Sequence, residues 1–313
     1  MFSVIVPVYR NEATLGALLD RLDSMYEKLD QSLEVVFVVD GSPDRSYTIL
    51  DEALPKRRFR AHLVLLSRNF GSFAAIRMGL AAAKGPYFAV MAADLQEPEE
   101  LIVDFLRSLQ NEPVDIVLGI RSSREDPLLS KWMAGAFWHV YRRLIQQSMP
   151  PGGVDVFGCN QQVRDALVQL NEANSTLVGL LVWVGYRRKL VSYPRLPRLE
   201  GKSAWGARRK LRYMLDSAYA FSDMPIMFLT VVGLAGVCLS CLCGLMVSIV
   251  WFAGFITVKG YTPLILTILF STSLLLLGMG IIGGYVWRAF ENTKQRPLFL
   301  PMLHKTYGKE DPP

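Results

Sequence analysis

The stretch EVVFVVDGSPDRS at residues 34–46 passes in one step from an unbroken apolar run to a cluster of turn formers. Val35 to Val39 are apolar without alternation, the pattern of a strand buried on both faces. Asp40-Gly41-Ser42-Pro43-Asp44 then stops the strand. Working outward, the same pattern recurs at Phe2–Val8, His62–Ser67, Tyr87–Ala92 and Asp115–Ile120. Helical periodicity fills the gaps, most clearly over Glu12–Leu29, where Leu15, Leu18, Leu19, Leu22, Met25 and Leu29 keep to one face. Strands buried on both faces and alternating with helices predict an α/β domain with a mostly parallel sheet.

Ligands of such sheets bind beyond the carboxyl ends of the strands. Polar clusters follow all five runs: PVYRNE at 7–12, DGSPD at 40–44, SRNFG at 67–71, DLQEP at 94–98 and Gly119-Ile120-Arg121. Each cluster alone is also ordinary turn and capping chemistry. Five in succession on one sheet edge point to a binding cleft.

The C-terminal third has a different composition. No charged residue occurs from Met224 to Val258, nor between Lys259 and Arg288. Each run exceeds the ~20 apolar residues that cross a bilayer as a helix, which places two transmembrane helices near 228–251 and 264–287. Lys202, Arg208, Arg209, Lys210 and Arg212 precede the first, and Arg288, Lys294 and Arg296 follow the second, with only Lys259 between. That bias puts both termini and the α/β domain on the cytoplasmic side of the inner (plasma) membrane, as a multi-pass protein. Trp251 and Trp287 suit the interfaces, and Gly278, Gly280, Gly283 and Gly284 permit close contact with the first span or with another subunit of a homo-oligomer. Trp205–Phe221 mixes basic and apolar residues, as a membrane-surface helix or a solvated helix on the domain would. Trp132, Met133, Phe137, Trp138 and Tyr141 fall at helical spacing and fit either a membrane-dipping helix or a core-facing one. The expected divisions are 1–200 the α/β domain, 201–225 juxtamembrane, 226–288 transmembrane (the two helices) and 289–313 a cytoplasmic tail.

The net charge of +6 is concentrated before the apolar segments, which favours anionic lipid or phosphorylated substrates. Neither zinc-finger spacing nor an aromatic-basic sheet pattern is present, so nucleic acid is not an expected partner. The four cysteines imply no disulfide framework, and the three histidines are scattered. The apolar run at Phe2 lacks a basic n-region and a cleavage site, so no signal peptide is expected there.

The motifs PVYRNE, VDGSPDRS (39–46), SRNFG, ADLQEP (93–98) and GKS (201–203), with the two-helix tail, resemble the inverting glycosyltransferases of family 2 with the Rossmann-like GT-A fold. Within them the sequence is similar to the polyprenyl-phosphate glycosyltransferases, the group of dolichyl-phosphate mannose synthase and bacterial undecaprenyl-phosphate glucosyltransferases. The resemblance implies a nucleotide sugar as donor and a polyprenyl phosphate as acceptor. It implies that Pro7, Tyr9 and Glu12 line the base and ribose pocket, that Asp40 bonds the base, and that Arg68 and Asn69 reach the same cleft. Arg68 serves equally well as a structural ion pair. Asp94 and Gln96 are the implied ligands of Mg²⁺ or Mn²⁺; the first aspartate of the family motif is replaced by Ala92, which weakens the site. Arg121 matches a family arginine that handles phosphate, and Asp155, which falls where the family carries an aspartate near the acceptor, is the expected catalytic or orienting carboxylate. Lys131, Arg198, Lys202 and Ser203 are candidates for phosphate and acceptor binding, Lys131 also being explicable as surface charge. Two other functions stand beside lipid glycosylation. One is a processive polysaccharide synthase, whose Gln-x-x-Arg-Trp motif this chain lacks. The other is a non-catalytic nucleotide-sugar-binding protein, which Ala92 would suit.

Overall fold

A computed structural model describes residues 1–121, 139, 141–143, 145–150, 153–172, 174–196, 207–253 and 261–308. Five strands and four helices alternate through the first 121 residues: β1 (Phe2–Val8), α1 (Leu15–Lys28), β2 (Leu33–Val39), α2 (Ser46–Ala53), β3 (Arg60–Leu66), α3 (Ser72–Ala82), β4 (Tyr87–Val90), α4 (Glu99–Asn111) and β5 (Ile116–Arg121). They follow the expected runs to within a few residues. After them come β6 (Val156–Asn160), α5 (Gln161–Gln169), α6 (Leu177–Trp183) and β7 (Arg188–Tyr193). The chain then runs through α7 (Ala207–Phe221), α8 (Met224–Phe252), α9 (Tyr261–Thr293) and β8 (Pro301–Tyr307).

The sheet order is β7-β5-β6-β4-β1-β2-β3-β8. β4, β1, β2 and β3 are mutually parallel, as is β5 with β7. β6 is antiparallel to both neighbours, β4 and β5, and β8 is antiparallel to β3. The expected mostly parallel sheet is therefore observed, with two antiparallel strands added. Successive strand residues divide between two cores. Val4, Val6, Val35 and Phe37 pack under α1, α2 and α4. Ile5, Val36 and Val38 pack under α3, α5 and α6. Removing one such side chain, as in Phe37→Ala, costs about 3–5 kcal/mol in close-packed cores.

Residues 289–313, expected as a tail, instead carry β8, which pairs with β3 from Ala61↔Tyr307 to Leu66↔Pro301. Polar contacts fix it there. Lys305 Nζ lies 2.8 Å from the Asp51 carboxylate, to which Tyr307 also donates. His304 Nε2 is 3.2 Å from His62 Nδ1. Behind His62 the buried Glu34 carboxylate accepts from Ser3 Oγ (2.7 Å) and the Lys84 amide (2.8 Å), and lies 3.0 Å from His62 Nε2. Burial would raise Glu34, but these partners outweigh it and bring its pKa down to about 2.

α8 and α9 span 29 and 33 residues, roughly 43 and 50 Å at ~1.5 Å per residue. They occupy the stretches expected as spans, and among the described residues one helix, in α9, has the length and apolarity to cross a membrane. Phe270–Thr293 is long and apolar enough to cross a membrane by length and composition, and only 6% of its most apolar window is buried. Met214–Phe221 meets Met224–Gly236 at a bend of 80°. The end of α9 is anchored to the domain: Arg288 reaches Asp216 of α7 at 2.8 Å and the Asn174 carbonyl at 3.2 Å. A side chain at Gly284 would meet Tyr219 of α7 at 3.0 Å, and one at Gly278 would meet Leu229 of α8 at 3.1 Å, so two of the four glycines in α9 admit close neighbours.

Candidate active site

A cleft of about 390 Å³ opens beyond the carboxyl ends of β1 and β2, lined by Arg10, Asn11, Glu12, Thr14, Asp44 and Asp94. It depends on two loops crossing closely. Gly41 has φ +56°, and a Cβ there would lie 2.3 Å from the Arg68 carbonyl carbon, so only glycine fits. Asp40 is buried, and its two oxygens accept the amides of Phe70 (2.7 Å) and Gly71 (2.8 Å). Asp40, expected to bond the base, holds the SRNFG loop against β2 through these bonds. Burial is the largest influence on it and keeps its pKa above the ordinary aspartate value.

The other residues expected to line the nucleotide pocket gather at the same edge. Pro7 sits in β1, half-buried, and Tyr9 is exposed just beyond it, with the Arg10 guanidinium 5.4 Å from its ring centre. Glu12 Oε2 accepts the Arg45 amide at 3.0 Å, tying the first loop to the second. Arg68 stacks 4.0 Å over Phe70, and Asn69 Nδ2 donates to the Asp40 carbonyl at 3.3 Å. Asp44 joins this wall. Its burial would raise its pKa, but hydrogen bonds from Ser42, Ser46 and the Glu12 amide outweigh burial and hold it below the usual range.

On the other side of the cleft, Asp94 follows β4 in a turn whose next residue, Leu95, is buried at φ +61°. That strained backbone is held from outside: Thr14 Oγ1 donates to the Ala93 carbonyl at 2.7 Å, and Arg21 donates to the carbonyls of Leu95 (3.3 Å) and Glu97 (3.0 Å). Arg121 and Asp155, from β5 and the residue before β6, form a two-pronged ion pair, Nη2 to Oδ1 at 2.8 Å and Nε to Oδ2. Tyr193 Oη lies 3.5 Å from Asp155 Oδ2. Burial is the chief cause of a Tyr193 pKa far above the ordinary value.

Gln96, expected as a metal ligand, has its amide oxygen taken by Arg195 Nη2, while its Nε2 donates to the Leu196 carbonyl at 3.3 Å. Its side chain therefore binds the strand-exit segment after β7. Among the described residues no group of three acidic, histidine or cysteine side chains is arranged to hold a metal ion. Three carboxyls nevertheless influence one another here. Glu97 is buried, its Oε2 accepts the Ala92 amide at 3.3 Å, and burial followed by the charges of Asp94 and Asp155 raises its pKa to about 7. Such a cluster favours a nearby cation. Lys131, Arg198, Lys202, Ser203 and the aromatic residues from Trp132 to Trp138 lie outside the described residues; Tyr141 is buried.

Residues 3–169 match the glycosyl transferase family 2. The chain belongs to that family. An uncharacterized glycosyltransferase of Synechocystis is 32% identical over 95% of this chain and 93% of its own length. The bactoprenol glucosyl transferase of Shigella phage SfV is 28% identical over 95% of this chain and 97% of its own length. Among solved structures, glucosyl-3-phosphoglycerate synthase of Mycobacterium tuberculosis is similar, 19% identical over 70% of this chain and 80% of that one, with a TM-score of 0.49.

In this family 2 glycosyltransferase, sequence reasoning missed Glu97, Tyr193 and Arg195. Glu97 carries a signal in hindsight, since a carboxylate three residues after Asp94 in a tight turn returns to the same place. Tyr193 and Arg195 carry none, because their partners lie 38 and 99 residues away.

Proposed function

We propose that this glycosyltransferase moves a sugar from a nucleotide sugar to a polyprenyl phosphate at the cytoplasmic face of the inner membrane, with inversion. The observation that carries the reading is the Gln96 bridge. It ties the Arg195–Leu196 segment, which precedes α7 and the apolar helices in the chain, onto the turn that bears Asp94. The end of α9 is held to the same domain, where Arg288 bonds Asp216 and the Asn174 carbonyl. The names of relatives that align over nearly their whole length, apolar segments included, support a bactoprenol-type acceptor.

The acceptor phosphate is already ionised near neutral pH, so it needs no strong base. One of its oxygens attacks the anomeric carbon as the bond to the nucleoside diphosphate breaks, and the diphosphate leaves with the electron pair. The protein must hold two anions together. Arg121 supplies a cation at the strand ends, and Asp155 fixes its orientation. Lys131, Arg198, Lys202 and Ser203 are proposed to hold the donor and acceptor phosphates. Asp94 would hold a divalent cation, Mg²⁺ or Mn²⁺, which supplies charge neutralisation at the diphosphate. Tyr9, Glu12 and Arg68 would line the nucleoside pocket.

β8 supports a hairpin for the apolar helices. A strand hydrogen-bonded to β3 lies on the same side of the membrane as β3. The chain between them must then cross an even number of times, so if α9 crosses, α8 crosses too. Membranes containing the protein, supplied with undecaprenyl phosphate and radiolabelled UDP-, GDP- or dTDP-sugars, are expected to form a lipid-extractable product with one of them. No such product from any donor refutes the proposal.

A further inference from the structure

We propose that the cleft between α3, α5 and the segment leaving α9 binds a phosphate-bearing anion, supplied by an acidic phospholipid headgroup or by free phosphate. The inference rests on the reading of α9 as a membrane span. The cleft has a volume of about 290 Å³, and its polar lining is Arg77, Asn171, Gln295 and Arg296. Val168 and Phe299 form an apolar wall.

Arg77 is the unusual member. It is only 5% exposed, in the middle of α3, among the buried Ala75, Ile76, Met78 and Leu80. Its Nη2 donates to the carbonyls of Leu167 and Leu170 at the end of α5, but its Nε has no hydrogen-bond partner. Burial depresses its pKa, and Glu172, the one carboxylate whose charge offsets this, makes no ion pair with it among the described residues. A buried guanidinium without a counter-ion is costly to maintain. Arg296 brings a second, exposed guanidinium to the same cleft, also without a carboxylate partner among the described residues. Two guanidiniums and two amides present many more donors than acceptors, the chemistry that a tetrahedral oxyanion satisfies.

The position of the cleft suits a headgroup. Gln295 stands two residues beyond the end of α9. One to two turns earlier, Trp287 and Phe290 are exposed, and Lys294 Nζ lies 5.1 and 4.4 Å from their ring centres. Aromatic rings joined to a cation are characteristic of the membrane–water interface, where lipid phosphates lie.

The test uses the full chain in nanodiscs, with melting temperature as the readout. Four discs or buffers are compared: phosphatidylcholine alone, phosphatidylcholine with 30% phosphatidylglycerol, phosphatidylcholine with 20 mM inorganic phosphate, and phosphatidylcholine with sodium chloride at matched ionic strength (all as chosen conditions on the order of those at which lipid charge acts). At ligand about 100-fold above Kd, mass action gives a rise of roughly 5–10 °C. Phosphatidylglycerol or phosphate is expected to give this rise, and sodium chloride is not. A rise with lipid alone identifies the headgroup as the source; an equal rise with phosphate in phosphatidylcholine identifies the free ion. Arg296→Glu should abolish the rise while leaving the melting temperature in phosphatidylcholine unchanged, and Arg77→Lys should reduce it. Lys56→Glu, an equal charge change beyond α2, should retain it. No rise with either anion, or a full rise in Arg296→Glu, overturns the proposal. Failure of the chain to enter nanodiscs at all would instead refute the membrane reading on which it rests.

Discussion

Glu97→Gln isolates the electrostatics of the carboxyl cluster. The Glu97 pKa stands at about 7 in the folded protein, against an ordinary value of 4.5. Between those two values the unfolded chain has lost the proton and the folded one keeps it. Stability must therefore fall as pH rises through that window, by about 1.4 kcal/mol per pH unit. Integrated from 4.5 to 7, the loss is about 3 kcal/mol, and it persists at higher pH. Glutamine retains the oxygen that accepts the Ala92 amide and cannot ionise. At pH 8 the variant should thus melt higher than the native protein by roughly 6–12 °C, taking about 2–4 °C per kcal/mol for a domain of this size. Near pH 5 the two should converge. The assay is a melting curve of the detergent-solubilised full chain at half-unit steps from pH 5 to 8. Saturating Mn²⁺ at pH 8 should close the gap, because a cation beside Asp94 stabilises the ionised Glu97. Parallel pH profiles for the two proteins would refute the reasoning, because they would mean that Glu97 keeps an ordinary pKa.

Four other outcomes are expected. Asp155→Asn or Arg121→Gln should lower kcat for sugar transfer by roughly 10²–10³-fold with donor affinity nearly unchanged, measured as lipid-linked product against nucleotide binding by calorimetry. Ala92→Asp should tighten Mn²⁺ binding, read by titration, and destabilise the metal-free protein because its new charge adjoins Glu97 and Asp94. Gly41→Ala should destabilise the domain by about 2 kcal/mol or more, since its methyl would meet the backbone of the SRNFG loop at positive φ; an unchanged melting temperature would refute the close crossing of the two loops. Deleting residues 300–313 should uncover the edge of β3 and shift the protein toward aggregation in size-exclusion runs.

The central sheet was legible in the sequence because its strands are covered on both faces and so become apolar without interruption. β1 to β5 are of this kind. β7 and β8 are edge strands; PMLHKTY at 301–307 is exposed along nearly its whole length and carries a histidine, a lysine and a threonine. No local pattern distinguishes it from a tail, since its place is set by β3, more than 230 residues earlier in the chain. The site was legible at the level of which loops build it. It was less so at the level of what each side chain does. A polar residue at the end of a strand can face a ligand or brace a neighbouring loop, and both duties call for the same chemistry. Asp40 and Gln96 illustrate this: one holds two backbone amides and the other holds Arg195. Glu97 was passed over for a similar reason, since an acid just before Pro98 and Glu99 reads as the ordinary start of a helix.

The placement of β8 also sets the order in which the protein can be completed. Its partner strand leaves the ribosome early, whereas β8 follows both apolar helices. At ~5–20 residues per second, the interval between Leu66 and Pro301 is on the order of ten to fifty seconds. Throughout that time the rim of β3 is unpaired and open to association with other chains. On the hairpin topology proposed above, only a nascent chain whose two helices have inserted in the correct sense brings its last strand back to the side where β3 waits. Closure of the sheet thereby reports on membrane insertion. A chain threaded the wrong way is left with an open edge, the kind of defect that quality-control proteases and chaperones detect.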